Sequence, residues 1–98
     1  MFEPKVKNRQ TEKLMKAIIS LKNTEDAYRF FEDLCTIPEI RSISQRLEVA
    51  ELLRKKETYQ RIADETGASS ATISRVNRAL NYGADGYHRV LDEMEKDS

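Results

Sequence analysis

The chain has no tryptophan and only one cysteine. Cys35 has no partner within the chain, which excludes an internal disulfide and suits a reducing cytosol. Three glycines and two prolines are too few for a collagen-like or low-complexity chain. No apolar run approaches the ~18 residues of a membrane span. The opening Met1-Phe2-Glu3-Pro4-Lys5 has no apolar stretch of the secretory kind. The expectation is a cytoplasmic protein without membrane contact. An excess of one charge is also missing: 17 basic and 17 acidic side chains balance. A neutral chain is not an indiscriminate polyanion binder.

What is present fits one domain of 98 residues. A chain of this size buries roughly 60–65% of its unfolded surface. Its core is thin, so dimerisation is an expected way to cover more apolar area. The neutral total hides a pattern. Residues 1–16 carry five basic and two acidic side chains, and residues 54–80 carry six basic and three acidic. Residues 84–98 carry two basic and five acidic. A basic middle and an acidic end permit one positive face on a neutral protein.

Apolar spacing is helical throughout, with no strand-like alternation. Leu14, Ile18 and Leu21 form a first stripe over about residues 8–22. Thr24, followed by Glu25 and Asp26, reads as a helix cap with acids in the first turn. Ala27, Phe30, Phe31 and Leu34 make a second stripe. Thr36-Ile37-Pro38-Glu39 has the makings of a capping box with proline in the first turn. Ile40, Ile43, Leu47 and Ala50, widened by Val49, Leu52 and Leu53, form the third and longest stripe. A fourth helix is expected over about Tyr59 to Thr66, capped by Thr58 and stopped by Gly67. A fifth starts at Ser69 or Ser70 and runs to about Leu80, before Asn81-Tyr82-Gly83. A sixth covers about Asp85 to Lys96, with Tyr87, Val90, Leu91 and Met94 on one side. Six short helices with few-residue loops leave more apolar stripe than one small chain buries. The expected fold is therefore an all-α dimer.

The stretch from Tyr59 to Leu80 has the spacing of a helix-turn-helix. Ala63 falls where two helices would cross, and Gly67 falls in the turn, where positive φ is needed. Ile62, Ile73 and Val76 point inward from both helices. The outward face of the second helix is then Ser70, Ala71, Ser74, Asn77 and Arg78. Small residues let a helix approach a major groove closely. Hydroxyls bond phosphates or base edges, Ala meets a thymine methyl, and Arg pairs with guanine or phosphate. Free N–H groups near Ser69 and Ser70 add an anion site. Gln60 and Arg61 are placed for DNA-backbone contacts. Against this stands an ordinary helical hairpin, or a helical protein–protein interaction module without DNA binding. The neutral total charge favours that rival, and the basic 54–80 segment speaks against it.

Thr36…Glu39…Arg46…Glu51-Leu-Leu-Arg54, then Gly67-Ala68…Ala71-Thr72-Ile73-Ser74-Arg75…Leu80, resembles the tryptophan repressor superfamily, most closely its YerC/YecD branch. The resemblance covers about residues 30–82. It implies a six-helix chain in an intertwined homodimer, residues 1–98 forming a single domain. Residues 1–57 would supply the dimerisation helices, 58–81 the helix-turn-helix, and 84–98 a C-terminal helix. It also implies a DNA-binding transcriptional regulator, a repressor in type, on a near-palindromic operator of double-stranded DNA. The family's DNA-facing positions fall on Gln60, Ala63, Ser69, Ser70, Ala71, Thr72, Ser74 and Arg78. Arg46 and Arg75 match the arginines that enclose the tryptophan co-repressor, Arg46 only with a one-residue deletion. Two departures matter. Val76 stands where a glycine gives the indole ring room, and Ala79 where a serine meets the ligand's amino group. Tryptophan is therefore not the expected effector. Arg46, Arg75, Val76 and Ala79 outline a possible pocket for another small molecule.

Other residues keep bland readings. Arg75 is as well placed for phosphate as for a ligand. Arg54-Lys55-Lys56 is open between tracking DNA and ending a helix in solvent. Lys5, Lys7 and Arg9 form either a basic arm or a frayed terminus. Tyr28, Tyr82 and Tyr87 are spaced like core or dimer residues. Phe30 and Phe31 would fill a dimer core. Asp92, Glu93 and Glu95 read as a solvated acidic end. His88 and Cys35 make no metal motif. With no phosphate loop, HExxH or nucleophile elbow, neither catalysis nor a cofactor is expected.

Overall fold

The computed structural model describes residues 1–97. They form six helices: α1 (Arg9–Ile19), α2 (Thr24–Leu34), α3 (Ile37–Arg54), α4 (Tyr59–Thr66), α5 (Ser70–Tyr82) and α6 (Gly86–Lys96). No strand occurs among the described residues. The chain divides into two compact units, Met1–Ile37 and Pro38–Ser98.

In the first unit each helix start is set by an asparagine. Asn8 accepts from the Thr11 N–H while Thr11 Oγ1 accepts from the Asn8 N–H, a reciprocal box at 2.9 and 2.8 Å. Asn23 accepts from Asp26 N at 2.8 Å and caps α2. The cap is thus one residue earlier than Thr24, which becomes the first helical residue. Asn and Thr both cap well, and the acids Glu25 and Asp26 stay in the first turn either way. Phe30 and Phe31 meet edge to face, their centroids 5.6 Å apart. No residue of this unit is buried. Ile19 (81% exposed) and Tyr28 (70%) are nearly bare.

The second unit holds the core. Among the described residues the buried ones are Val49, Ala50, Ile62, Ala68, Ile73, Val76 and Leu91. They come from α3, α4, the turn after α4, α5 and α6, so the core lies around the helix-turn-helix. α4 packs on α5 and α5 on α6. Leu47, Leu52, Leu53, Ala63, Leu80 and Tyr87 pack around this cluster.

The ends of α3 and α6 depart from expectation. α3 closes with Lys56 N–H to Leu53 O and Glu57 N–H to Leu52 O, a Schellman arrangement. The left-handed position within it (φ 66°) holds Lys56 where glycine is usual. α5 runs two residues past Leu80, because Asn81 Nδ2 donates to Asn77 O at 3.0 Å and extends the last turn. α6 begins at Gly86, after Asp85 in a left-handed conformation. Its inner face is Leu91 flanked by half-buried Tyr87 and His88. Val90 and Met94, expected alongside them, remain about half exposed (50% and 49%). The reason is rotation: the inner face is centred between Leu91 and His88, not between Leu91 and Val90. Tyr82 is 86% exposed, so it has no place in this core.

Candidate nucleic-acid interface

Thr58 starts α4 by accepting from Arg61 N–H at 3.2 Å. Gly67 ends it at φ 74°, the left-handed backbone that its lack of a Cβ permits. Thr66 Oγ1 donates to Ile62 O and accepts from Ala68 N–H, so its hydroxyl bridges helix end and turn. From α3, Gln45 Nε2 donates to Thr66 O at 3.1 Å and braces the same turn. Sequence reasoning missed Gln45. Its signal is only that a polar residue sits beside the apolar stripe of α3.

Ser69 caps α5, accepting from Thr72 N–H at 3.1 Å and donating to Thr72 Oγ1 at the same distance. One hydroxyl thus satisfies the helix end and orients a neighbour. Ile73 and Val76 are buried, which fixes the rotation of α5. The opposite face is then presented outward: Ser70, Ala71, Ser74, Arg75 and Arg78 are exposed, while Thr72 and Asn77 are half-buried. Arg75 and Arg78 have no acidic partner among the described residues.

The charged and polar groups of α4 differ. Arg61 Nε lies 3.1 Å from Glu57 and 2.9 Å from Glu65, one turn back and one turn on. Gln60 Nε2 donates to Asp64 at 3.0 Å. Both are exposed, but their polar heads are engaged along their own helix. Ala63 is half-buried and packs against the core, in keeping with a close helix crossing.

Arg54 is a different case from its neighbours Lys55 and Lys56. Its guanidinium contacts Asp92 at 2.7 Å and Glu95 at 3.6 Å, and donates to His88 O at 3.1 Å. Only 20% of its side chain is exposed. It ties α3 to α6 instead of ending a helix in solvent, and Asp92 and Glu95 belong to that clasp. His88 adds a second tie. Its Nε2 lies 3.0 Å from Leu80 O, which only accepts, so the proton sits on Nε2. The single histidine is structural and fastens α6 to the end of α5.

The four residues of the expected effector pocket are not alike. Val76 is 1% exposed and belongs to the core cluster. Ala79 and Arg46 are half-buried, and Arg75 is exposed. Arg46 makes no hydrogen bond or ion pair among the described residues. No cluster of metal-ligating side chains occurs among the described residues. No described helix is long and apolar enough to cross a membrane.

Comparison with known proteins agrees with this geometry. The family described as Trp repressor protein matches residues 9–95. The uncharacterised protein YerC of Bacillus subtilis (strain 168) is 54% identical over 92 residues, which are 94% of this chain and 88% of the relative. The crystal structure of a TrpR-like protein from Eubacterium eligens ATCC 27750 superposes with TM-score 0.89 at 59% identity, over 93% of this chain and 94% of that one. A candidate Trp repressor from Staphylococcus aureus also gives TM-score 0.89, at 48% identity, over 93% of this chain and 91% of the other. Proteins of this family bind DNA and act as dimers. With a family match over nearly its whole length and relatives at 54% and 59% identity, the chain belongs to the Trp repressor family.

Proposed function

We propose that the chain is a cytoplasmic, sequence-specific transcriptional regulator, a repressor that binds a near-palindromic operator as an intertwined homodimer. The observation that carries this reading is the rotation of α5. Its apolar residues Ile73 and Val76 are used up in the core, and a row of small and basic residues faces outward. Ser70, Ala71 and Ser74 permit close approach to base edges, and Arg75 and Arg78 supply unpaired cations. Ser69, Thr72, Asn77, Gln60, Arg61 and Ala63 complete the proposed surface. Arg61 would have to leave Glu57 and Glu65 to reach a phosphate. The bare apolar positions of residues 1–37 support the dimer, since a second copy is the cover the family provides.

Two such dimer-related α5 helices would enter successive major grooves about 34 Å apart. Tryptophan is not the effector. A branched side chain, already packed in the core at position 76, occupies space a flat ring would need. Any effector is a different small molecule at Arg46, Arg75 and Ala79. Titration with tryptophan by calorimetry is expected to show no micromolar binding.

The test of the main reading is selection from a randomised duplex library at near-physiological salt. The expected result is an enriched near-palindrome with half-sites about one helical turn, ~10 bp, apart. No enrichment by folded protein, with and without candidate effectors, would favour a protein-binding module instead. On the enriched site, Arg78→Ala should weaken binding by ~1–3 kcal/mol at one base position if Arg78 reads a base. A uniform loss across sequences with a shallower salt slope would make it a phosphate contact.

A further inference from the structure

The cations of this chain fall into two groups. Arg29, Arg54, Arg61, Arg89 and Lys96 each have a carboxylate partner within 4.0 Å. The other twelve have none among the described residues: six are Arg41, Arg46, Lys55, Lys56, Arg75 and Arg78, and six are Lys5, Lys7, Arg9, Lys13, Lys16 and Lys22. The latter six lie in the first 22 residues, which hold only two acids, Glu3 and Glu12. That segment is more basic than the helix-turn-helix.

Three of the six are aligned. Arg9, Lys13 and Lys16 sit at positions i, i+4 and i+7 of α1, within one narrow stripe. All three are exposed. The half-buried Thr11, Leu14 and Ile18 lie on the other side of the helix, and half-buried Ala17 borders the stripe beside Lys13. Lys5 and Lys7 flank Val6, whose carbonyl accepts from Thr11 Oγ1 at 2.8 Å and ties the segment to the first turn there.

None of the six makes an ion pair among the described residues. Lys16, in the last turn, complements the dipole of α1, but Arg9 stands at the end whose dipole repels cations, and Lys13 is engaged by neither end. The helix-turn-helix, for its part, is short of free cations. Of its three arginines, Arg61 is held between two glutamates, leaving Arg75 and Arg78. Affinity for duplex DNA grows with the number of phosphates neutralised.

We infer that the Arg9–Lys13–Lys16 stripe of α1 is a second DNA-backbone surface, one that binds phosphates and reads no bases. The inference rests on the DNA-binding reading above. The stripe adds affinity and salt dependence without sequence preference.

The test compares two triple variants of the full-length protein, each losing three positive charges. Arg9→Gln/Lys13→Gln/Lys16→Gln removes the unpaired stripe, and Arg29→Gln/Arg89→Gln/Lys96→Gln removes paired surface cations. Circular dichroism and thermal melting establish that both are folded. Binding to the selected duplex, with ~10 bp of flank on each side, is measured across ~50–200 mM salt. The stripe variant is expected to bind at least about tenfold more weakly near 150 mM salt. Its slope of log K against log salt should be shallower by ~0.9 per lost phosphate contact. Its preference among sequences should be unchanged, and the control should bind like the unaltered protein. Equal behaviour of all three proteins would overturn the inference and leave α5 as the DNA-reading element. An equal loss in both variants would make the effect one of net charge and overturn it too. Failure of the unaltered protein to bind any duplex would remove the DNA-binding reading itself, and the inference with it.

Discussion

Residues 1–37 and residues 38–97 are built from helices of the same amphipathic kind, but only the second set hides any side chain fully. Every buried residue among those described lies between Val49 and Leu91, while the first region leaves Met15, Ile19, Tyr28, Leu34 and Ile37 at least half exposed. Apolar spacing therefore fixes helices in both regions and a core in only one. Amphipathic helices get most of their stability from the surface they pack on. The second region supplies that surface within one chain. The first has the sequence of a helix pair made to pack on more than this chain provides, which is what a dimer of interleaved helices would supply.

The largest expected effect sharpens this contrast. Ile73→Ala should cost ~2–5 kcal/mol in denaturant unfolding, because Ile73 is 1% exposed. Ile19→Ala, at 81% exposure, should cost little in an isolated chain. In a dimer that covers Ile19 it should instead lower stability in a way that depends on protein concentration. A cost below ~0.5 kcal/mol at every concentration would show that face to be bare and break the dimer argument.

Glycines give the next contrast. A Cβ at Gly83 would be driven into the Ala79 carbonyl oxygen, backbone that cannot move aside cheaply. Gly83→Ala should destabilise by ~1–3 kcal/mol. A Cβ at Gly86 meets nothing within 4 Å. Gly86→Ala should be neutral or stabilise by up to ~1 kcal/mol, through the unfolded state. Thermal melts of the two variants separate them.

Arg54→Gln breaks the tie between α3 and α6, with an expected loss of ~1–2 kcal/mol. Hydrogen exchange in α6 should quicken while that in α1 and α2 stays the same. Uniform quickening would mean the two regions unfold as one. The smallest effect is a gain. Lys56 holds a left-handed conformation that costs a residue with a Cβ ~1–2 kcal/mol. Allowing for the greater unfolded-state freedom of glycine, Lys56→Gly should stabilise by up to ~1 kcal/mol.

Much of this was legible in the sequence, for physical reasons. Thr58 and Gly67 bound α4 as their chemistry requires, and Ile62, Ile73 and Val76 go to the core as their spacing demands. The outward face of α5 follows from those three alone. What could not be read depended on distant partners or on rotation. Arg54 looked like one of three solvent-facing basic residues, and only the fold brings Asp92, Glu95 and the His88 carbonyl to it. Gln45 reaches the turn across 21 positions of sequence. Val90 and Met94 share a helical spacing with Leu91, but a modest rotation of α6 leaves them half exposed. Lys56 gave no sign of a left-handed cap, since that position ordinarily calls for glycine.

The most direct test of the account is the affinity of Ala71→Glu protein for the selected duplex. Ala71 is exposed on the first turn of α5, clear of the core. A carboxylate there suits the helix dipole, so stability should be kept or slightly raised. If this face meets DNA, the new charge faces phosphates and base edges, and like charges so placed cost several kcal/mol. Binding should weaken at least about a hundredfold, with a melting temperature kept or slightly raised. Unchanged affinity would place DNA elsewhere, or nowhere, on this protein.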